Sequence, residues 1–435
     1  MQDLSLAQAT LLTLKKSQMK VLHLVSGSLS AGAAKGAYYL HQGLLKIGVD
    51  SHVLTDSNET YLDKTVTSIS KNAPQKIVRA VQRKIDTLPV KFYGNREDKI
   101  FSTGLAGFNF IGEKAYQEAD VVHMHWINNG FVKTRDFSRI DKPVIWTIRD
   151  MWPLTGGCHY SMGCIGYKSN CGDCPQLKSK NSFDLSRFIV SQKKKHFQKS
   201  MKIIGISNWI SELASDSSVF NSFDVRTIPN CINTEDFFPI EKTLAKLLLG
   251  IDTAKKIVLI GAQSVSDFYK GFDKFLDALD SIDAEKYHIC FFGNAAKDIL
   301  INKQFTSTML GFLHDPIALR IAYSCADVFV APSIQEAFGK TIAEAMACGV
   351  PVVCFDATGP KDIVDHKING YLAVPFESKD IADGINWICD NENYLTLRVK
   401  ARDKIVKYFN QITISEHYKK IYDEVFHDEK FIIQH

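Results

Sequence analysis

The stretch DVFVAPSIQEAFGKTIAEAMACGVPVVCFD, Asp327 to Asp356, decides the fold. Its two ends, VFVA and VVCF, are continuous apolar runs of strand length. A strand with one wet face would alternate, so an unbroken run marks a strand covered on both faces, as in a parallel sheet. The middle reads as a helix that begins near Gly339 and ends around Cys348. Gly349 suits the left-handed cap and Pro351 stands just beyond it.

The same alternation runs along most of the 435 residues. KVLHLVS, SHVLTD, DVVHMHW, PVIWTI and KIIGIS read as strands before a turn-rich break at RTIPNCINTEDFFP, which suits a linker. KIVLIGA, YHICFFG, DVFVAP and PVVCFD follow it. Two such series imply two doubly wound α/β domains, and ligands of such sheets bind beyond the carboxyl ends of the strands. A cleft between two facing domains is therefore the expected site. The division predicted is an extension over 1–18, a first Rossmann-like domain over 19–230 with a cysteine-rich insert at 155–180, and a second over 231–402. A helix over 403–435 is expected to pack back on the first domain.

Composition narrows the function. The chain is 45% hydrophobic and 23% charged, ordinary for a globular protein, and its net charge of +4 is too small to argue for nucleic acid. No run is long and apolar enough to predict a membrane-spanning helix. The first residues lack the pattern of a secretory signal. Six of the ten cysteines are scattered, with Cys290 and Cys354 inside strand-like runs, the usage of a reduced compartment. A cytoplasmic protein is expected, with a peripheral position on the inner face of the membrane as a further expectation.

The chemistry of the opening stretch lies around the start of its helix. Phe338 and Gly339 lead into a first turn with unpaired N–H groups and the positive end of the helix dipole, and Gly339 lets a ligand come close. Glu336 stands just before this turn. Glu344 lies about two turns into a helix with little solvent-facing surface, where a buried carboxylate needs partners. Two adjacent hydroxyls of a ribose would supply them. Two surface glutamates on an amphipathic helix is the plainer alternative.

The run EAFGKTIAEAMACGVPVV resembles the donor-site motif of the family 4 retaining glycosyltransferases, which have the GT-B fold. GSLSAGAAKGA, TIRDMWPLTGGC, IPNCIN, YKGFDKFLDAL and GPKDIVDHKINGYL extend the resemblance over nearly the whole chain from Met19. Within the family, the chain is similar to a branch with a cysteine-rich insert used in bacterial polysaccharide synthesis. The resemblance implies that Glu336 lies by the donor sugar, Glu344 holds the nucleotide ribose and Lys270 holds the diphosphate. Phe338, Gly339 and Lys340 would line the donor, and Gly32 would approach the phosphates from the first domain. The family usually carries an arginine shortly before the lysine; GAQSVSDFYKG has none, which leaves Gln263 or Ser264 in its place. Where the family often has a histidine near the donor sugar, this chain has Arg149, a group that does not shuttle protons near neutral pH. His123 and His125 in HMHW are expected to face opposite ways.

These positions imply a nucleotide-diphosphate sugar as donor and a glycan or lipid-linked acceptor. The chain has no Asp-x-Asp triplet of the kind that metal-dependent sugar transferases commonly use, so no cofactor is expected in catalysis. A non-catalytic sugar-nucleotide-binding relative is the alternative. An NAD-dependent oxidoreductase is disfavoured, because HLVSGSLSAGAAKG lacks G-x-G-x-x-G after the strand.

Two features stand outside this reading. TGGCHYSMGCIGYKSNCGDCPQLK gathers Cys158, Cys164, Cys171 and Cys174 in a run rich in Gly, Ser and Asn, with few residues that could bury a core. A structural zinc, disulfides and free thiols all remain open, with His159 as a substitute ligand. Basic residues gather in KNAPQKIVRAVQRKIDTLPVKF (Lys76, Arg79, Arg83, Lys84) and in SRFIVSQKKKHFQKS (Lys193, Lys194, Lys195). They read either as solvated helix faces or as a surface for anionic headgroups.

Overall fold

Short apolar runs flanked by turn residues become strands. The computed structural model describes residues 19–30, 32–70, 72–96, 100–264, 267–294 and 304–433, without the side chains of 262–264 and 428–433. The extension over 1–18 lies outside them. In the first sheet β1 (Lys20–Val25), β2 (Asp50–Thr55), β3 (Val66–Ser68), β4 (Val121–Met124), β5 (Val144–Ile148), β6 (Lys202–Gly205) and β7 (Asp224–Thr227) follow the order β3-β2-β1-β4-β5-β6-β7. In the second, β8 (Lys256–Ser264), β9 (Tyr287–Asn294), β10 (Thr306–Met309), β11 (Val328–Ala331), β12 (Val352–Phe355) and β13 (Gly370–Ala373) follow β10-β9-β8-β11-β12-β13. Neighbouring strands of both sheets pair in parallel. β4, β5, β11 and β12 are buried at every residue, which is why their sequences do not alternate. The chain is thus two doubly wound α/β domains, and strand order reverses between β1 and β4 and between β8 and β11.

The strands absent from the sequence reading are β3, β7, β10 and β13, the edges of the two sheets. An edge strand buries less, so it needs no apolar run: β10 reads TSTM with three of four residues exposed, and β7 reads DVRT with none buried.

The chain crosses between the sheets twice, and the crossings are bonded together. Ile232 N–H donates to the Phe409 carbonyl at 2.8 Å, and Gln411 N–H donates to the Ile232 carbonyl at 3.1 Å. The helix expected from 403 is two helices. Tyr394–Tyr408 packs on the helix Lys340–Ala347, and Gln411–Ile433 packs on the helix Gly32–Lys46. The break is local: the Asn410 side chain accepts from Ile412 N–H at 2.7 Å, so Asn410 ends one helix and caps the next. The return to the first domain therefore falls at 409–410 rather than at 403. Ile414, Tyr418, Ile421, Tyr422 and Val425 form the buried stripe of the last helix. Tyr418 and Tyr422 reach beneath the first sheet, to Thr147 Oγ1 at 2.8 Å and His123 Nδ1 at 2.7 Å.

His123 and His125 do not face opposite ways. Residues two apart on a strand share a face, and both rings join His23 in one buried cluster.

The basic stretches also differ from expectation. On the helix Ala73–Lys91, Arg79 is buried and pairs with Asp56 at 2.8 Å; Arg83 reaches the same carboxylate at 3.0 Å. Asp86 is buried too, accepting from Thr103 Oγ1 at 2.7 Å and Leu105 N–H at 2.9 Å. Polar groups thus fasten the inner side, while Ile77, Val78, Val81, Ile85 and Leu88 are 49 to 65% exposed on the outside. In the second stretch Lys193 is fully buried, and Lys194 and Lys195 are exposed. Among the described residues no helix is long and apolar enough to cross a membrane.

Candidate active site

The carboxyl ends of the two sheets face a cleft of about 590 Å³ at the two strand-order reversals. Ser26 and Gly27 enter it beyond β1, Trp126 beyond β4, Lys270 beyond β8 and Glu336 beyond β11.

Lys270 and Glu336 are brought together by a backbone contact. Gly271 has φ +62°, and a Cβ there would sit 2.0 Å from the Pro332 carbonyl oxygen. Only glycine lets the loop after β8 press against the loop after β11. The Lys270 ammonium then forms an ion pair with Glu336, each about one quarter exposed to the cleft.

The helix Lys340–Ala347 aims its start into the same space. Gly339 has φ +106°, and a Cβ would lie 2.9 Å from Ile342 Cδ1. Both conformation and room therefore favour glycine. Phe338 lines the cleft, but its ring is buried and lies 5.8 Å from that of Phe409, so it also packs the crossing. Glu344 is 1% exposed. Its Oε2 accepts from the Tyr323 hydroxyl at 3.1 Å. Its Oε1 has Lys340 Nζ at 3.7 Å and no hydrogen-bond partner among the described residues. A buried acceptor left open toward a cleft is a place for a ligand's hydroxyl.

The first domain supplies two cations. Lys35, on the helix Gly32–Lys46, lies across from Lys340 and is nearly buried. Burial and then Lys340 lower its pKa, while Glu344, Asp236 and Asp315 oppose the shift. Arg149 donates from Nη1 to Asn230 Oδ1 at 3.1 Å and from Nε and Nη2 to His125 Nδ1 at 3.4 and 3.3 Å. Gly36 makes room for this, since a Cβ there would meet Arg149 Nη1 at 2.6 Å and the Asn230 amide at 2.8 and 2.9 Å. Gly32 begins its helix in the cleft with φ +52° and open space around it, so its requirement is conformational.

Beneath Arg149, His125 Nε2 shares a hydrogen bond of 2.9 Å with His23 Nδ1. Ring nitrogens of His23, His123 and His125 lie within 4.8 Å of one another, the spacing of a metal trio. Both nitrogens of His125 are already engaged, and the adjacent guanidinium repels a cation. Burial pushes the pKa of His23, His123 and His125 well below the ordinary value, so the trio is a neutral platform that orients Arg149.

The two domains meet at the rim. The rings of Tyr160 and Tyr269 stack at 4.3 Å, Met162 N–H donates to Gln335 Oε1 at 3.1 Å, and Asn208 N–H donates to Asp362 Oδ2 at 2.6 Å. The Asp150–His159 pair lines the cleft at 2.7 Å. Of the residues singled out in the sequence, Glu336, Lys270, Arg149, Glu344, Phe338, Gly339, Lys340 and Gly32 all line this one cleft. The side chains of Gln263 and Ser264 lie outside the described residues. Cys158, Cys164, Cys171 and Cys174 line a separate small cavity. Lys35, Asn230 and Tyr160 went unread, although each sits inside a motif singled out for other residues.

Residues 249–410 match the family model described as glycosyl transferases group 1. The chain is 27% identical over 216 residues to N-acetyl-alpha-D-glucosaminyl L-malate synthase of Bacillus anthracis, covering 48% of this chain and 55% of that protein. It is 24% identical over 352 residues to the putative colanic acid biosynthesis glycosyl transferase WcaC of Escherichia coli, covering 77% and 82%. The chain spans about half the length of the first curated relatives it matches, 55% and 52%. Among solved structures, sucrose-phosphate synthase from Thermosynechococcus elongatus superposes with a TM-score of 0.68 at 18% identity, covering 94% of this chain and all of that one. Anabaena HepE in complex with UDP-glucose gives 0.61 at 17% identity over 93% and 100%. The fold is GT-B.

Proposed function

With residues 249–410 matching the group 1 glycosyl transferase model and a chain folded as GT-B, we propose that the protein is a retaining glycosyltransferase. It moves a sugar from a nucleotide-diphosphate donor to a glycan or lipid-linked glycan in bacterial polysaccharide synthesis. The observation that carries this reading is the joining of Lys270, Glu336 and the open Oε1 of Glu344 in one cleft. The relatives agree: HepE was solved with UDP-glucose, and a Campylobacter jejuni relative is named as an N-acetylgalactosaminyltransferase acting on a diphospho-undecaprenol acceptor.

In this reading the ribose diol donates to Glu344, and the diphosphate lies between Lys270, Lys340 and the N-termini of the helices Lys340–Ala347 and Gly32–Lys46. Cleavage of the anomeric C–O bond leaves oxocarbenium character on the sugar and a developing charge on the leaving phosphate. Lys270 and the backbone N–H groups stabilise that charge, and Glu336 and Arg149 hold the sugar. The acceptor hydroxyl attacks from the face that the leaving group vacates, and the phosphate oxygen takes its proton, which preserves the anomeric configuration. The cationic side chains supply the charge neutralisation a divalent ion would otherwise provide, so catalysis is independent of added metal. A panel of nucleotide sugars screened by ligand-induced thermal shift tests the donor site, since a tight ligand raises the melting temperature. Failure of every nucleotide sugar to shift it would overturn the reading.

The outward apolar stripe Ile77, Val78, Val81, Ile85 and Leu88, flanked by Lys76, Lys84 and Lys91, supports peripheral binding to an anionic bilayer, where a lipid-linked acceptor would be presented. Arg79 and Lys193 are interior, so the stripe carries more of this binding than the charge does. Sedimentation with phosphatidylglycerol-containing vesicles is expected to carry the protein down, and Val81→Glu with Ile85→Glu to release it. Equal recovery in the supernatant with anionic and neutral vesicles would remove the membrane from the account.

A further inference from the structure

The helix Leu185–His196 drives an ammonium into the first domain where a charge is expensive. Lys193 is fully buried and donates to the carbonyl oxygens of Trp152 and Thr155, the latter at 2.8 Å. Among the described residues no carboxylate pairs with it. A buried cation needs countercharge. Burial pushes the pKa of the Lys193 ammonium down to about 7, and the groups that oppose this are Cys158, Cys171 and Asp150.

Cys158 and Cys171 belong to a set. With Cys164 and Cys174 they line one cavity of about 20 Å³, room for a single water-sized particle. Backbone N–H groups point at three of the sulfurs: Gly166 at Cys164 (3.5 Å), Gly156 at Cys171, and Gln176 and Leu177 at Cys174. Burial raises the thiol pKa of Cys171, to about 11, and of Cys174, and the donors at these two sulfurs oppose that shift. The chain reaches these positions through left-handed residues, Met162 (φ 48°), Cys171 (φ 54°) and Asp173 (φ 46°), each a conformation that costs a side chain energy. Tyr167 and Leu177 anchor the flanks of the insert in apolar clusters, while Ile165 between the cysteine turns is largely exposed. The sulfurs ring the cavity more loosely than a closed ligand set, since the group within 4.8 Å of one another is the histidine trio. Zn–S bonds of about 2.3 Å would require them to close in.

We propose that Cys158, Cys164, Cys171 and Cys174 hold a structural zinc ion whose thiolate shell is the counterion of Lys193. Four thiolates on a divalent ion carry net negative charge, which satisfies the buried ammonium; four neutral thiols or two disulfides do not. Binding displaces the thiol protons to solvent, and no bond is oxidised or reduced. The site fixes the loop that carries Tyr160 and Met162 to the rim contacts with Tyr269 and Gln335. It lies outside the donor cleft and stands independently of the glycosyltransferase reading.

The test is elemental analysis of the full chain purified without chelator. Close to one zinc per chain is expected, falling toward none in Cys164→Ser and Cys171→Ser. Cobalt substitution is expected to give the thiolate-to-metal charge-transfer absorption of a tetrahedral site. Lys193→Met removes the cation and is expected to weaken zinc retention against a competing chelator. The wild-type measurement decides even if these variants fold poorly. Metal-free wild-type protein whose four thiols all react with Ellman's reagent in the native state would overturn the proposal. So would a non-reducing peptide map showing disulfides among the four.

Discussion

Glu344 offers a prediction whose size can be worked from the structure. Its Oε2 is committed to Tyr323, and its Oε1 is buried without a hydrogen bond. If a ribose diol completes the site, each hydrogen bond to the charged carboxylate contributes about 1.5–3 kcal/mol. Glu344→Ala removes the acceptor for the diol, so the loss is about 3 kcal/mol, on the order of 100-fold in Kd, while the Tyr323 hydroxyl left unpaired lowers the stability of free and bound protein alike. Glu344→Gln keeps an oxygen for Tyr323 and puts an amide nitrogen where Oε1 was. It loses about 1.5 kcal/mol, on the order of tenfold. The ligand-free Gln variant is expected to melt no lower than wild type, because an open carboxylate in a buried site is a cost to the empty protein. The assay is titration calorimetry with whichever nucleoside diphosphate of a UDP, GDP and ADP panel binds the wild type. Wild-type affinity in both variants would refute the ribose role.

Further outcomes test the remaining parts. Lys270→Ala and Glu336→Gln are each expected to cost roughly 10²–10³ in turnover with little change in melting temperature, read by nucleoside diphosphate release; near-wild-type rates in either would remove that residue from the mechanism. Gly36→Ala forces a Cβ against Arg149 and Asn230. Overpacking of about 1–3 kcal/mol and loss of turnover are expected, and an unchanged enzyme would show that Arg149 need not hold this position. Acid is expected to weaken the fold through its buried histidines. Burial lowers the pKa of His41 from 6.5 to about 4 against the opposing pull of Asp63. The unfolded chain therefore binds the extra proton between those values, and stability complete above pH 6.5 is lost as pH falls toward 4. At pH 5 this histidine alone accounts for about 2 kcal/mol, with His23, His123 and His125 adding in the same direction. Denaturant midpoints that do not fall between pH 7.5 and 5 would contradict this. EDTA in a short incubation is expected to leave turnover intact; prompt loss restored by Mg²⁺ would contradict metal-independent transfer.

The parts of the molecule legible in the sequence are those where one physical demand dominates. Strands buried on both faces must be continuous in apolar residues, so the centres of both sheets stand out, while β3, β7, β10 and β13 at the edges meet no such demand. Glu336, Gly339 and Glu344 are legible because one short helix carries a special conformation, a dipole and a buried charge together. Lys35 is not, since a lysine near a helix start reads as surface until the opposite domain covers it. Arg79 and Lys193 show the converse: on a helical wheel they join a basic face, and only the partners Asp56 and the Trp152 and Thr155 carbonyls reveal that they point inward.

The central claim is that this cleft breaks the bond between a sugar and a nucleoside diphosphate. The direct measurement is nucleoside diphosphate release from a panel of nucleotide sugars, with wild type, Lys270→Ala and Glu336→Gln side by side. Lipid extract from a polysaccharide-producing bacterium is included as acceptor source. The account predicts release from at least one donor by the wild type, stimulated by the extract and reduced on the order of 10²–10³ in both variants. Tight binding of a nucleotide sugar that is never consumed, with or without extract, would contradict it and leave a binding protein in place of an enzyme.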